Sequence, residues 1–225
     1  DDDDDNDGVL DVDDEFPNDQ YGFVQLSLGD GFQSGQPEDN ATLGASHYTT
    51  CAILSDGTLR CWGDNYNGQI GDGSVGQDKY YPTNVSIPSG KTPASVSTGS
   101  HSSTICSIMD DGTLYCWGDN YNGQIGIGTT CPSGSYLNGC NGAQGISTPT
   151  LVSLPAGRTA TAVAVGSGWT CAILDNGSVW CWGANSDGQL GVGNRSSGSW
   201  AYSPNQALLP SGVNAVAISA GSSHA

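Results

Sequence analysis

The chain has 225 residues, among them 34 Gly and a single Met, and carries a formal net charge of −18. Its five cations (Arg60, Lys79, Lys91, Arg158 and Arg195) cannot form the basic stripe that nucleic-acid phosphates or an anionic membrane surface require. Abundant glycine with few helix formers points to short strands joined by tight turns, and no apolar run approaches the ~20 residues of a membrane-spanning helix.

Residues 1–20 read as an acidic linker that binds calcium. Eleven of the 23 acidic residues lie between Asp1 and Asp19. Asp3, Asp5, Asp7, Gly8, Val9, Asp11 and Asp14 follow the spacing 1, 3, 5, 6, 7, 9 and 12 of a calcium loop. Ca²⁺ takes about six to eight hard oxygens, and alternate carboxylates converge on one ion only where the backbone turns sharply, as Gly8 permits. Val9 then offers its carbonyl oxygen, and Asp14 closes the loop with a shorter arm than the usual Glu. Phe16-Pro17-Asn18-Asp19 does not read as an exiting helix. The segment therefore resembles a thrombospondin type 3 repeat, in which calcium stiffens acidic linkers between extracellular domains. The competing reading is a solvated acidic tail.

Residues 21–225 are organised by an internal repeat. Cys51-Ala-Ile-Leu-Ser-Asp-Gly-Thr-Leu-Arg-Cys61-Trp-Gly recurs as Cys106 to Gly118 and as Cys171 to Gly183. Each copy runs on into Asn-x-x-Gly-Gln-Ile/Leu-Gly, at Asn65 to Gly71, Asn120 to Gly126 and Asn185 to Gly191. A short β-rich stretch ending in Gly precedes a cysteine pair at Ser95 to Gly99 and at Ala162 to Gly166, and recurs at Ala215 to Gly221. The leading cysteines are 55 and 65 residues apart, so a further copy is expected just past Ala225 and the sequence reads as a piece of something longer.

The turn chemistry sets the cysteine pairing. Asp-Gly or Asn-Gly between apolar runs is a hairpin signal. With Ser55-Asp56-Gly57 as a three-residue loop, Leu54 faces Thr58 and Cys51 falls opposite Cys61 at a position that is not hydrogen-bonded, where Cα atoms approach most closely. The same count pairs Cys106 with Cys116 and Cys171 with Cys181. Each bridge closes a loop of about ten residues, worth roughly 2–3 kcal/mol on the chain-entropy estimate. Cys131 and Cys140 lie in the insertion that lengthens the second repeat and are expected to staple it. Eight regularly spaced cysteines point to an oxidising compartment, hence a secreted or cell-surface protein. A zinc site is disfavoured, because no pair has C-x₂₋₄-C spacing.

His47, Asp56-Gly57, Trp62-Gly63, Asn65 and Gly68-Gln69-Ile70-Gly71, with their counterparts downstream, resemble the repeat of the regulator of chromosome condensation family. The resemblance covers roughly Tyr21 to Ala225, with Trp169 where the third copy would carry His. It implies an all-β fold of four-stranded propeller blades, about three and a half of them, which is fewer than the usual seven. The ring is then completed elsewhere in a longer chain or by a neighbouring copy. The family's intracellular activity, nucleotide exchange on a small GTPase with chromatin binding, is not expected of a chain without a basic surface.

No catalytic residue is assigned. His47, His101 and His224, taken at one repeat position, read as packing residues. Asp110-Asp111 and Asp175-Asn176 read as turns, and no serine or cysteine sits in a nucleophile elbow. Trp62, Trp117 and Trp182 recur in register and read as blade core. Trp180, Trp200, Tyr66, Tyr80, Tyr81, Tyr121, Tyr136 and Tyr202 vary between copies and are the candidates for contact with a protein or glycan partner. Sequons at Asn40, Asn84, Asn176 and Asn194 are weak signals for glycosylation. The expectation is a non-enzymatic extracellular structural or adhesive module, part of a larger surface protein or of a filament of copies. The alternative is a secreted binding or inhibitory propeller that recognises a partner through its loops.

Overall fold

The computed structural model describes residues 23–28 (backbone only), 49–99, 102–131, 140, 145–193, 200–222 and 224. The calcium-loop residues Asp3, Asp5, Asp7, Val9, Asp11 and Asp14 lie outside them, as do His47, His101, Tyr136 and Arg195. Twelve strands make three four-stranded antiparallel sheets among the described residues. The first sheet, blade 1, is β1 (Phe23–Leu28), β2 (Thr49–Leu54), β3 (Leu59–Gly63) and β4 (Lys79–Asn84). Blade 2 is β5 (Pro93–Thr98), β6 (Thr104–Met109), β7 (Leu114–Asp119) and β8 (Gly145–Leu151). Blade 3 is β9 (Ala160–Val165), β10 (Trp169–Leu174), β11 (Val179–Ala184) and β12 (Trp200–Gln206). Among the described residues no helix is long and apolar enough to cross a membrane. In each blade consecutive strands are neighbours, as in the blades of a β-propeller.

The hairpin count predicts the central register correctly. Leu54 N–H donates to Thr58 O at 2.9 Å, and Gly57 takes the left-handed conformation with φ 81°. Cys51 is the cross-strand partner of Cys61, Cys106 of Cys116, and Cys171 of Cys181. All three pairs are bridged with Cα atoms 4.1 Å apart, the close approach of a pair that shares no ladder hydrogen bond. Cys131 is bridged to Cys140 at a Cα separation of 5.5 Å. No cysteine is free among the described residues.

The strands β1, β5 and β9 converge from successive blades, whereas β4 and β12 run along the rim with most of their residues exposed or half-buried. The apolar cores lie between blades as well as within them. Cys51, Ile53, Leu59 and Ile70 of blade 1 pack in one cluster with Val96, Ile105 and Trp117 of blade 2. Ile125, Ile146 and Val152 of blade 2 pack in the next with Ala172, Leu174 and Trp182 of blade 3. The stretch Ala215 to Gly221, expected to be β-rich, carries no assigned strand, but its Ala215, Ile218 and Ala220 cover the far side of blade 3.

Candidate functional site

Each blade has the same irregularity at the Trp-Gly pair. The register between the third and fourth strands shifts at Cys61/Gly63, Cys116/Gly118 and Cys181/Gly183, a bulge that re-aims the intervening Trp. The bulge needs glycine: Gly118 has φ 89°, and a Cβ there would stand 1.9 Å from the Ser103 carbonyl oxygen. Trp117 and Trp182 are thereby turned onto the preceding blade and are fully buried. Trp117 Nε1–H donates to Gln69 O at 2.9 Å and Trp182 Nε1–H donates to Gln124 O at 2.7 Å. These rings sit between blades rather than in the core of one sheet. Trp62, in the same register, is only half-buried, and among the described residues no preceding blade offers it a seat.

The Asn-x-x-Gly-Gln-Ile/Leu-Gly loops form these seats. Asn65 Oδ1 accepts from Ile70 N–H at 3.1 Å, Asn120 Oδ1 from Ile125 N–H at 3.0 Å, and Asn185 Oδ1 from Leu190 N–H at 3.2 Å. The Gln side chain braces the loop tip. Gln124 Oε1 accepts from Asn122 N–H at 2.9 Å, and its Nε2 donates to Asp119 Oδ2 at 2.8 Å. The other oxygen of Asp119 accepts from Tyr121 N–H at 3.0 Å. Blade 1 repeats this with Asp64, Gln69 and Tyr66. The clamp fixes the backbone and leaves the tyrosine ring outside, with Tyr66 63% and Tyr121 45% exposed. In blade 3 the corresponding residues are Ala184 and Ser186, so that loop carries neither the carboxylate nor the ring.

The loop of blade 2 rests on the rim strand of blade 3. Gly128 N–H donates to Tyr202 O at 2.8 Å, and a Cβ on Gly123 would lie 2.6 Å from the Tyr202 ring. This contact assembles an aromatic cluster from two blades: the Tyr121 and Trp200 ring centroids are 6.1 Å apart at 58°, and those of Trp200 and Tyr202 are 6.4 Å apart at 40°. All three side chains are exposed. At the same end of blade 1, Tyr80 and Tyr81 are exposed along β4. The sequence singles out each of these residues but not their adjacency. A one-blade offset between the loop tyrosine and the start of the next rim strand is the signal that would have found it. Trp180 is not part of the cluster; it is half-buried, and its indole N–H donates to Ser178 Oγ at 3.0 Å.

The two ends of the blades differ in charge. At the hairpin-turn end, Lys91 pairs with Asp111, and Arg158 with Asp175 at 3.4 Å. The Lys91 contact holds Asp111 far below the usual carboxylate range and raises Lys91. At the loop end stand Asp64, Asp72, Asp78, Asp119 and Asp187, and the one cation there among the described residues is Lys79, 3.1 Å from Asp72. Burial pushes the Asp72 carboxyl up, but hydrogen bonds from Ser74 and the nearby Lys79 outweigh it and leave the group lowered.

Among the described residues no three His, Cys, Asp or Glu side chains gather as a metal site. His224 occupies the place that Trp169 holds one blade earlier: Gly221 N–H donates to His224 O, and Gly166 N–H to Trp169 O, both at 2.8 Å. A cavity of about 400 Å³ borders Leu190, Gly191, Ile218 and His224, the place on blade 3 that matches the Trp seats of blades 1 and 2.

The regulator of chromosome condensation (RCC1) repeat matches residues 56–106, 111–173 and 176–225. The human E3 ubiquitin-protein ligase HERC2 is 32% identical over 177 residues, which is 78% of this chain and 3% of that protein. The Arabidopsis thaliana ultraviolet-B receptor UVR8 is 28% identical over 76% of this chain and 37% of its own length. Among solved structures, Prp20p of Saccharomyces cerevisiae, described with its binding to Gsp1p and histones, superposes with a TM-score of 0.65 at 21% identity, covering 79% of this chain and 41% of that one. Human WBSCR16 gives 0.64 at 15% identity over 91% of this chain and 44% of its own. At such identities the structures establish the fold alone, and this chain spans less than half the length of each of these relatives.

Proposed function

This chain belongs to the regulator of chromosome condensation repeat family, and from that footing we propose that it is a non-catalytic extracellular adhesive module that holds a protein partner on the loop end of its blades. The observation that carries the reading is the cluster of Tyr121, Trp200 and Tyr202, three exposed rings brought together by two blades. Exposed aromatic groups on a rigid scaffold are the usual anchors of protein interfaces. Four buried disulfides favour an oxidising compartment. Residues 1–20, with their calcium-loop spacing, serve as a stiffened linker that displays the blades away from a surface.

Immobilised protein tests this reading directly. The intact chain is expected to retain cells of its source organism, and Trp200→Ala is expected to reduce retention at unchanged circular dichroism. Equal retention by both proteins would rule out the cluster as the contact.

A second reading, assembly of repeats into a longer array, is favoured by the half-buried Trp62 and by the cavity beside Gly191. Light scattering and electron microscopy separate the two: filaments that grow with concentration support assembly, and a monodisperse particle supports the binder.

A further inference from the structure

We propose that the Tyr121–Trp200–Tyr202 cluster takes a cationic side chain, Lys or Arg, from the protein partner. The inference rests on the reading of the loop end as the binding face and adds the chemistry of what is bound. Neighbouring rings of the cluster are inclined at 58° and 40°, so they do not form the flat platform on which a sugar ring stacks. A compact cation needs no common plane; it meets the electron-rich face of one ring or of several in turn.

Charge points the same way. The Asp119 carboxylate accepts from the backbone N–H of Tyr121 at 3.0 Å, which puts a negative charge two residues from one ring of the cluster. Lys79 is the sole cation at this end among the described residues, and it is engaged by Asp72. Lys91 and Arg158 are tied to aspartates at the opposite end. A chain with net charge −18 attracts cationic partners at long range, and the aromatic groups give that attraction a place to become specific. An acidic or uncharged partner would meet repulsion or forgo the carboxylate.

The test is calorimetric titration of the full chain with oligolysine whose side-chain amines are left free and charged, with oligoserine and oligoglutamate of equal length as controls. Binding of oligolysine alone is expected. An exposed cation–π contact corresponds to a loss of about two- to fivefold per ring removed, so Trp200→Ala and Tyr202→Ala should each weaken binding by that factor, and the double variant by about tenfold. Asp175→Asn, which removes one negative charge at the far end, should leave the affinity within twofold of the intact chain. Equal weakening by Asp175→Asn and Trp200→Ala would mean that overall charge alone binds the peptide, and would overturn the proposal. So would unchanged affinity in the folded double variant. Absence of oligolysine binding, with cell retention still lost in Trp200→Ala, would overturn the cationic partner and leave the adhesive reading standing.

Discussion

Trp117 Nε1–H donates to the backbone carbonyl of Gln69, 2.9 Å away and 48 residues earlier in the chain. The bond joins blade 2 to blade 1, and Trp182 makes the same bond to Gln124 between blades 3 and 2. Each indole lies over a glycine of the preceding loop, Gly71 or Gly126, where no side chain can be accommodated. Blade-to-blade packing in this protein therefore depends on a paired Trp and Gly contributed by different repeats.

That pairing makes Gly71→Ala a sharp probe. A Cβ at Gly71 would stand 2.6 Å from Trp117 Nε1, at a backbone φ of +79°. Left-handed strain of about 1–2 kcal/mol adds to an overpacking cost of about 1–3 kcal/mol. The control is Gly76→Ala, at φ +72° with nothing within 4 Å, where only the strain remains. Denaturant unfolding with disulfides intact should show a loss for Gly71→Ala of at least about 2 kcal/mol, and about half of that for the control. Equal losses would mean that the indole is not a rigid neighbour.

The disulfides give a second prediction. Cys51, Cys61, Cys106, Cys116 and Cys171 have no exposed surface, so a reductant cannot reach them until a blade opens. In native buffer, dithiothreitol followed by alkylation and mass spectrometry should leave the three cross-strand bridges intact. Cys131–Cys140 should reduce first, because it closes an inserted loop and Cys140, at 5%, is the most exposed of the eight. Replacing Cys51 and Cys61 together by Ser should cost about 2–3 kcal/mol in equilibrium unfolding. Rapid labelling of all eight thiols without denaturant would contradict this burial.

The contrast between bridges and seats shows how far the sequence could be read. The cysteine pairing was legible because an Asp-Gly turn sets the strand register, and register alone decides which residues face each other. The Trp seats were not, since a tryptophan in register reads as core without saying whose core it joins. Trp62 shares its motif with Trp117 and Trp182 yet is half-buried, because burial there depends on the neighbour and not on the residue. The aromatic cluster was legible as a set of residues but not as a place, since Tyr121 and Trp200 meet across a blade boundary.

The hairpin-end ion pair predicts an acid response. Asp111 is held well below its unfolded value of 3.8, first by the Lys91 hydrogen bond and then by those from Thr113. A carboxyl lowered in the folded state stabilises the fold fully above the unfolded value, and that contribution is lost as pH falls through the folded one. Lys91 is raised, so its share is complete below 10.5 and is lost only as pH climbs past its elevated folded value. Carbon-detected NMR should place the Asp111 midpoint clearly below 3.8, and Lys91→Met should move it upward. Asp111 is exposed and Lys91 half-buried, so solvent reaches the pair and added salt should shrink the shift. An Asp111 midpoint unchanged by Lys91→Met would refute the pairing.

Calcium supplies the last prediction, and it falls on residues outside those the structure describes. Asp3, Asp5, Asp7, Asp11 and Asp14 with the Val9 carbonyl have the order of a calcium loop, but Asp14 carries one methylene fewer than the Glu that usually closes it. The loop should therefore bind calcium with an incomplete final arm. Calorimetry on the full chain should show binding that disappears when residues 1–19 are removed, while unfolding of the blades is unchanged by the ion in the shortened protein. Asp14→Glu should tighten binding, because the longer arm can donate both oxygens, whereas Asp5→Asn should weaken it by withdrawing a charge. An acidic tail that merely condenses cations would behave otherwise: Asp14→Glu would leave the affinity unchanged, and magnesium would compete on equal terms.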